Sequence, residues 1–147
     1  YHVSNVICWI KPNPTPSFAR YQFQSEFLLY SWLKGKGHSR WYGKSDSNVW
    51  FADRQCGKLE HPTVKPTEIA IKVIRNSSQI NDLIFDGCMG AGFNLLGAQL
   101  LGRRFRGIEI EPVFVDVAIR RMIKMFPKFV PEDIKLKYGQ GGEHGKA

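Results

Sequence analysis

The sequence predicts an α/β chain, half of a doubly wound parallel sheet with an antiparallel hairpin ahead of it, and three observations predict it. The first is the stretch DGCMGAGFN at residues 86–94, three glycines between an apolar run (Asp82 to Phe85) and a helix-like run (Leu95 to Leu101). Strand, glycine turn and helix in that order put a nucleotide-like ligand over the helix start. The second is the order of elements from Pro66 onward, helix, strand, turn, helix, strand, helix, the alternation from which parallel sheets are built. The third is a pair of apolar stretches, Val3 to Ile10 and Glu26 to Trp32, joined by KPNPTPSFARYQFQS. Three prolines are expected to bar regular structure from that loop, which gives a long hairpin.

Each element has its own warrant. All four tryptophans fall before residue 52, interleaved with basic residues. Alternating aromatics are more often sheet core than base-stacking platforms, and Trp9 and Trp32 are assigned to the core. Residues 33–60 are polar, glycine-dotted and basic, a mobile loop region with one short strand at Asn48 to Ala52. Pro66 opens a helix that runs to about Asn76, with Glu68 in its first turn and Ile69, Val73 and Ile74 as its apolar positions. Asp82 to Asp86 is a short, continuously apolar strand of the buried parallel kind. Phe93, Leu96, Leu100 and Leu101 mark a helix face that Gly102 ends, and Phe105 to Ile110 is the next strand. Glu111 and Pro112 open a last helix, with Phe114, Val117, Ala118, Met122 and Met125 on one face. From residue 139 the apolar pattern stops, so the domain is placed at 1–138 and a disordered tail at 139–147.

Composition narrows the class. A chain of 147 residues suits one domain, with 1–60 as hairpin and basic loop and 61–126 as the ligand-binding half. No apolar stretch approaches the roughly 20 residues needed to span a bilayer, and YHVSNVICWIKPNP lacks the layout of a secretory signal. Opening on Tyr1 inside an apolar alternation, the chain reads as the carboxyl-terminal part of a longer protein. Cys8, Cys56 and Cys88 are odd in number and contain no C-x-x-C pair, which argues against a disulfide framework and a zinc site and for a reducing, intracellular setting. The formal charge of +8 marks an anionic partner, nucleic acid first.

The turn itself discriminates among ligands. A phosphate-cradling loop needs G-x-x-x-x-G-K-[ST], and no Gly-Lys-Ser/Thr occurs. The dinucleotide pattern G-x-G-x-x-G, started at Gly90, needs glycine where Leu95 stands. Asp86, at the strand's mouth, repels a pyrophosphate and suits a cation. S-adenosylmethionine is such a ligand: Asp86 would face its positive end, Gly90 and Gly92 would let the backbone approach, and Glu109 would bind the ribose hydroxyls. The competing reading is that the glycines make a tight turn and nothing more, with Glu109 a solvated strand end.

Four blocks carry a family likeness. HPTVKPTEI (61–69), DGCMGAGFN (86–94) and LGRRFRGIEIEP (101–112) resemble, in order and spacing, the HPTQKP, D-P-F-x-G-S-G-T-T and L-G-R-x-x-I-G-I-E segments of the N4-cytosine/N6-adenine DNA methyltransferases in their beta-type motif order. ICWIKPNPTPS (7–17), with Glu26 after it, is similar to that family's W-x-K-x-N-x-x-P edge hairpin. The resemblance covers residues 1 to about 125. It implies a partial, Rossmann-like S-adenosylmethionine-dependent methyltransferase fold with an antiparallel edge hairpin. The activity implied is methyl transfer to the exocyclic amino nitrogen of adenine (N6) or cytosine (N4) in double-stranded DNA, in a prokaryotic or phage-encoded restriction-modification setting.

The cofactor residues so implied are His61, Thr63 and Lys65 in a lid segment, Asp86, Cys88, Met89, Gly90, Gly92 and Asn94 in the turn, and Glu109. Lys11, Asn13, Arg20, Lys34, Lys36 and Arg40 are the expected nucleic-acid contacts, with plain surface charge as the alternative. No metal is implied. Where the family has Pro and Phe after the Asp this chain has Gly87 and Cys88, and Ala91, Phe93 and Asn94 replace its Ser and two Thr. Hydroxyl contacts are lost there or taken over by the Asn94 amide. The family's catalytic Asp/Asn/Ser-Pro-Pro-aromatic tetrapeptide does not occur in the sequence, and its expected place is before Tyr1. The rivals are a nucleotide-dependent oxidoreductase half-domain and a non-catalytic nucleic-acid-binding remnant.

Overall fold

The structure, a computed structural model, describes residues 1–35, 40–53 and 65–139. Its strands are β1 (His2–Thr15), β2 (Phe23–Trp32), β3 (Val49–Phe51), β4 (Leu83–Asp86) and β5 (Arg104–Gly107); its helices are α1 (Thr67–Ser77), α2 (Phe93–Leu100), α3 (Pro112–Met125) and α4 (Glu132–Tyr138). One sheet has the order β2-β1-β3, with β1 antiparallel to β2 and parallel to β3, and the other is the parallel pair β4-β5. The expected α/β architecture with an edge hairpin is therefore present.

Helix α1 joins the two sheets. Its Ile69 packs with Trp9, Trp50 and Ala52 beneath the first sheet, while Ala70 and Ile74 pack with Ala98, Ile84 and Phe105 beneath the second. The buried indole donors are satisfied: Trp9 Nε1 donates to the Ala52 carbonyl at 2.9 Å and Trp50 Nε1 to that of Ser47 at 2.7 Å. The opposite faces are bare, with Phe27, Leu29 and Phe51 exposed on one sheet and Leu83 and Phe85 on the other. Trp32, assigned to the core, is only half-buried and sits in a ring cluster with His2 and Tyr30.

Helices α1 and α2 touch at Gly97, where an added Cβ would stand 2.8 Å from that of Ala70. On helix propensity alone Gly97→Ala would stabilise by up to about 1 kcal/mol. Overpacking reverses the sign, and the variant is expected to lose about 1–3 kcal/mol in urea denaturation.

Several elements depart from the sequence reading, β2 among them, which starts at Phe23 and not Glu26. Strand β1 continues through Pro12 and Pro14 to Thr15 instead of ending at Ile10. The prolines are tolerated because the ladder is interrupted between Ile10 and Thr15, so their missing N–H groups cost no pairing, and Gln24 Nε2 donates to the Lys11 carbonyl in that gap at 3.0 Å. Strand β5 stops at Gly107, not Ile110, because Ile108 and Glu109 turn back onto the glycine turn. Helix α4, unanticipated, follows a short 3-10 turn at Pro127–Phe129 and buries no residue completely. The part of the expected loop region from 54 to 60, and the expected tail beyond Gly139, lie outside the described residues.

Candidate cofactor and nucleic-acid site

Strand β4 ends on Asp86, and the chain crosses to α2 through residues 87–92. Gly90 and Gly92 carry φ of +51° and +75°, a region that only glycine enters cheaply, and Gly92 is the residue from which α2 starts. Asp86 is fixed by two bonds: one oxygen accepts the Cys88 N–H at 3.0 Å and the other accepts the Asn94 side-chain amide at 2.7 Å. The Asn94 amide thus serves the Asp86 carboxylate.

Glu109 approaches from beyond β5. Its Oε2 accepts the Gly90 N–H at 2.7 Å and its Oε1 the Glu111 N–H at 3.0 Å. Backbone bonds lace the same loop to the turn, Met89 N–H to the Ile108 carbonyl at 3.0 Å and Ile108 N–H to the Asp86 carbonyl at 2.9 Å. Two carboxylates therefore bracket one glycine turn. Cys88 is an exposed free thiol, and Met89 is buried with its sulfur against Gly107. An added Cβ at Gly90 would meet nothing within 4 Å, so the backbone there is open to a ligand.

From behind, Arg121 of α3 donates through Nη1 to the Ala91 carbonyl at 2.6 Å. Burial pulls this guanidinium below the ordinary arginine range. The sequence reading missed it, although Phe114, Val117, Ala118 and Arg121 are spaced to share one helix face.

The hairpin brings a second cluster together. Glu26 pairs with Lys11 at 3.0 Å and with Lys65, and both ammonium groups lie over the Trp9 ring, 5.8 and 5.6 Å from its centre. Lys65, the one described member of the expected lid trio, is thus tied to the hairpin; His61 and Thr63 lie outside the described residues. Lys11 is 4% exposed and also donates to Thr15 Oγ1 at 3.1 Å, so its ammonium is engaged within the fold and not offered to a phosphate. Asn13, Arg20, Lys34 and Arg40 are exposed, and Lys36 lies outside the described residues.

Burial pushes the Glu26 carboxyl up, but the hydrogen bonds and charges of Lys65 and Lys11 outweigh it and hold the group below its ordinary range. A depressed folded value means stability that is complete above the unfolded carboxylate range, about 4.3, and is lost as pH falls through the folded value. Glu26→Gln is expected to melt lower than the parent at pH 7, where Lys11 loses its buried counter-charge. The gap should narrow below about pH 4, which thermal melts across that range would read.

A glycine turn at a strand's carboxyl end, bracketed by that strand's last carboxylate and one just past the end of its neighbour, has the layout of the ligand corner of a Rossmann-like α/β domain. The family model described as DNA methylase, for the N6 and N4 enzymes, matches residues 1–120, and the chain belongs to that family. It is 31% identical over 157 residues to the type II methyltransferase M.HinfI of Haemophilus influenzae, covering 92% of this chain and 43% of that one. Against the type II methyltransferase M2.MboI of Moraxella bovis it is 31% identical over 144 residues, 86% of this chain and 52% of the relative. The crystal structure of the M1.HpyAVI–SAM complex superposes with a TM-score of 0.67 at 30% identity, over 81% of this chain and 61% of that one. The chain spans about half the length of the curated relatives it matches.

Proposed function

We propose that this chain is the cofactor-binding part of a DNA amino-methyltransferase that moves a methyl group from S-adenosylmethionine to N6 of adenine or N4 of cytosine in double-stranded DNA. The observation that carries the reading is the pair of fixed carboxylates, Asp86 and Glu109, around the open backbone at Gly90. The donor set fits: two acceptors suit a ligand with a cationic end and a ribose diol, and would oppose a pyrophosphate. When bound, the cofactor supplies a methyl group on a positively charged sulfur.

Asp86, oriented by Asn94 and the Cys88 N–H, would face the cationic end. Glu109 would take the ribose hydroxyls, and Arg121 keeps the turn's backbone in place from below. The target base would leave the duplex so that its amino nitrogen can approach in line, with Asn13, Arg20, Lys34 and Arg40 on the phosphates. No Asp/Asn/Ser-Pro-Pro-aromatic tetrapeptide occurs among these residues, so binding, not turnover, tests the reading. The type II relatives support a restriction-modification role in a bacterial cell.

Calorimetric titration with S-adenosylmethionine and, separately, NAD is the decisive measurement. Specific binding of S-adenosylmethionine that weakens at least tenfold in Glu109→Ala is expected. Binding of NAD instead would make the chain an oxidoreductase half-domain, and binding of neither would leave a nucleic-acid-binding remnant.

A further inference from the structure

The turn between β1 and β2, residues 16–22, carries aromatic rings that the fold does not use. Phe18 is fully exposed, Tyr21 is 89% exposed, and Phe23, at the start of β2, is 66% exposed. Rings left in water forgo the burial that stabilises a fold, so packing does not account for a group of them on one hairpin tip. Nor is the turn slack. Gln22 braces it: Oε1 accepts the Ser17 N–H at 2.6 Å, and Nε2 donates to the Ser17 and Ala19 carbonyls, both at 2.9 Å. Ser17 Oγ in turn accepts the Ala19 N–H at 3.3 Å. Below the turn Thr15 pairs with Phe23 across the ladder, and Gln24 Nε2 donates to the Lys11 and Pro12 carbonyls at 3.0 and 3.3 Å. Polar side chains thus hold the backbone that presents Phe18 and Tyr21, and neither ring takes part in holding it. Little ordering of that backbone is left for a ligand to bear.

The charge around the rings selects the partner. No Asp or Glu precedes Glu26, and Arg20, exposed, stands between Phe18 and Tyr21 in the sequence. The tip therefore offers rings and one cation, with no carboxylate of its own to oppose an anion. A membrane surface takes aromatic rings too, but electrostatic anchoring there calls for a cluster of about four to eight basic residues. This turn has one. Nucleic acid supplies flat ring faces and a phosphate for each of them, which matches rings set on either side of a single arginine. Inside a duplex those faces are reached by a side chain that parts two base pairs, the way an apolar wedge grips DNA.

We propose that the hairpin tip is a nucleic-acid wedge: Phe18 enters between two neighbouring base pairs of the bound duplex, with Tyr21 beside it and Arg20 on an adjoining phosphate. The inference rests on the nucleic-acid part of the function proposed above and is independent of its cofactor part. Because both rings are exposed, their replacement spares the core, and the variants should melt with the parent.

The test has two readouts on the full chain: affinity for a labelled DNA duplex across a range of salt concentrations, and the linking number of a closed circular plasmid relaxed by a topoisomerase in the presence of the chain. An inserted ring unwinds the duplex, so the parent should leave the plasmid underwound after the protein is removed. The double variant Phe18→Ala/Tyr21→Ala should bind about tenfold more weakly at every salt concentration, with the slope of affinity against salt unchanged and the topoisomer shift lost. Arg20→Ala should instead make that slope shallower by about one. Phe18→Trp keeps a flat ring and should keep both the affinity and the shift. Parent binding without a topoisomer shift, or a double variant that matches the parent in both readouts, would overturn the wedge and leave the function reading intact. Parent binding to phosphatidylserine vesicles but not to the duplex would overturn the wedge together with the nucleic-acid part of that reading, as would binding to neither. S-adenosylmethionine binding, measured separately, tests the cofactor part.

Discussion

Trp9→Ala is expected to cost about 3–5 kcal/mol, the usual loss when a buried tryptophan is cut back to alanine. Trp9 is 2% exposed and packs against Trp50, Ala52 and Ile69, with Ile7 and Leu28 at the margin. Removing it opens a cavity at the junction of the first sheet and α1. It also takes the donor from the Ala52 carbonyl and the ring from beneath Lys11 and Lys65. At roughly 2–4 °C per kcal/mol for a chain of this size, the midpoint should fall by about 10 °C. Trp9→Phe keeps most of the volume and loses the N–H, so it should retain more than half of the lost stability. A Trp9→Ala protein melting within 2–3 °C of the parent, on the same rough scale, would sink the assignment of this ring to the core.

Gly92→Val is the second large effect, and it joins stability to ligand binding. At φ +75° a β-branched residue is strained by about 1–2 kcal/mol. The new Cβ would stand 2.9 Å from that of Ala118 on α3, which adds about 1–3 kcal/mol of overpacking. The sum is about 3 kcal/mol. Relief requires α2 to part from α3, which moves the Ala91 carbonyl away from Arg121 and the Gly90 N–H away from Glu109. S-adenosylmethionine binding should therefore be lost even in whatever fraction stays folded. Gly90→Ala is the contrast, because its Cβ meets no atom and only the backbone term of about 1 kcal/mol remains. Urea denaturation of the two variants side by side should separate them by about 2 kcal/mol.

Residues that act alone on the local backbone made most of the fold legible in the sequence. Pro66, Gly102 and Pro112 punctuate the helices whatever their surroundings, and α1, α2 and α3 fall within a residue or two of the expected limits. The short apolar run ending in Asp86 gave β4 in the same way. What escaped depends on partners distant in sequence. Lys11 looks like surface charge until Glu26 is placed beside it by the hairpin register, although its position two residues after Trp9 already puts it on the inward face. The prolines of β1 are admissible only because pairing skips them. Arg121 reads as one more basic residue on a basic helix until α3 is packed behind the glycine turn.

Of the expected cofactor residues, Asp86, Gly90, Gly92, Asn94 and Glu109 come together around one turn. Cys88 is exposed on it, Met89 supports it from within, and Lys65 is held by Glu26.

The bond from the Gly90 N–H to Glu109 also bears on the thermodynamics of ligand capture. A free glutamate side chain surrenders up to about 2 kcal/mol of rotamer entropy when it is immobilised. With both carboxylate oxygens already tied to backbone N–H groups, Glu109 meets that loss during folding, before any ligand arrives. Its arrival would then find a rigid acceptor, so the enthalpy of the proposed diol contact would not be offset by ordering of the protein group that makes it. Glu109→Gln would keep the side chain's length yet place an amide donor against the Gly90 or Glu111 N–H, unlocking the side chain. Its signature in calorimetry is a less favourable binding entropy, not merely a weaker constant.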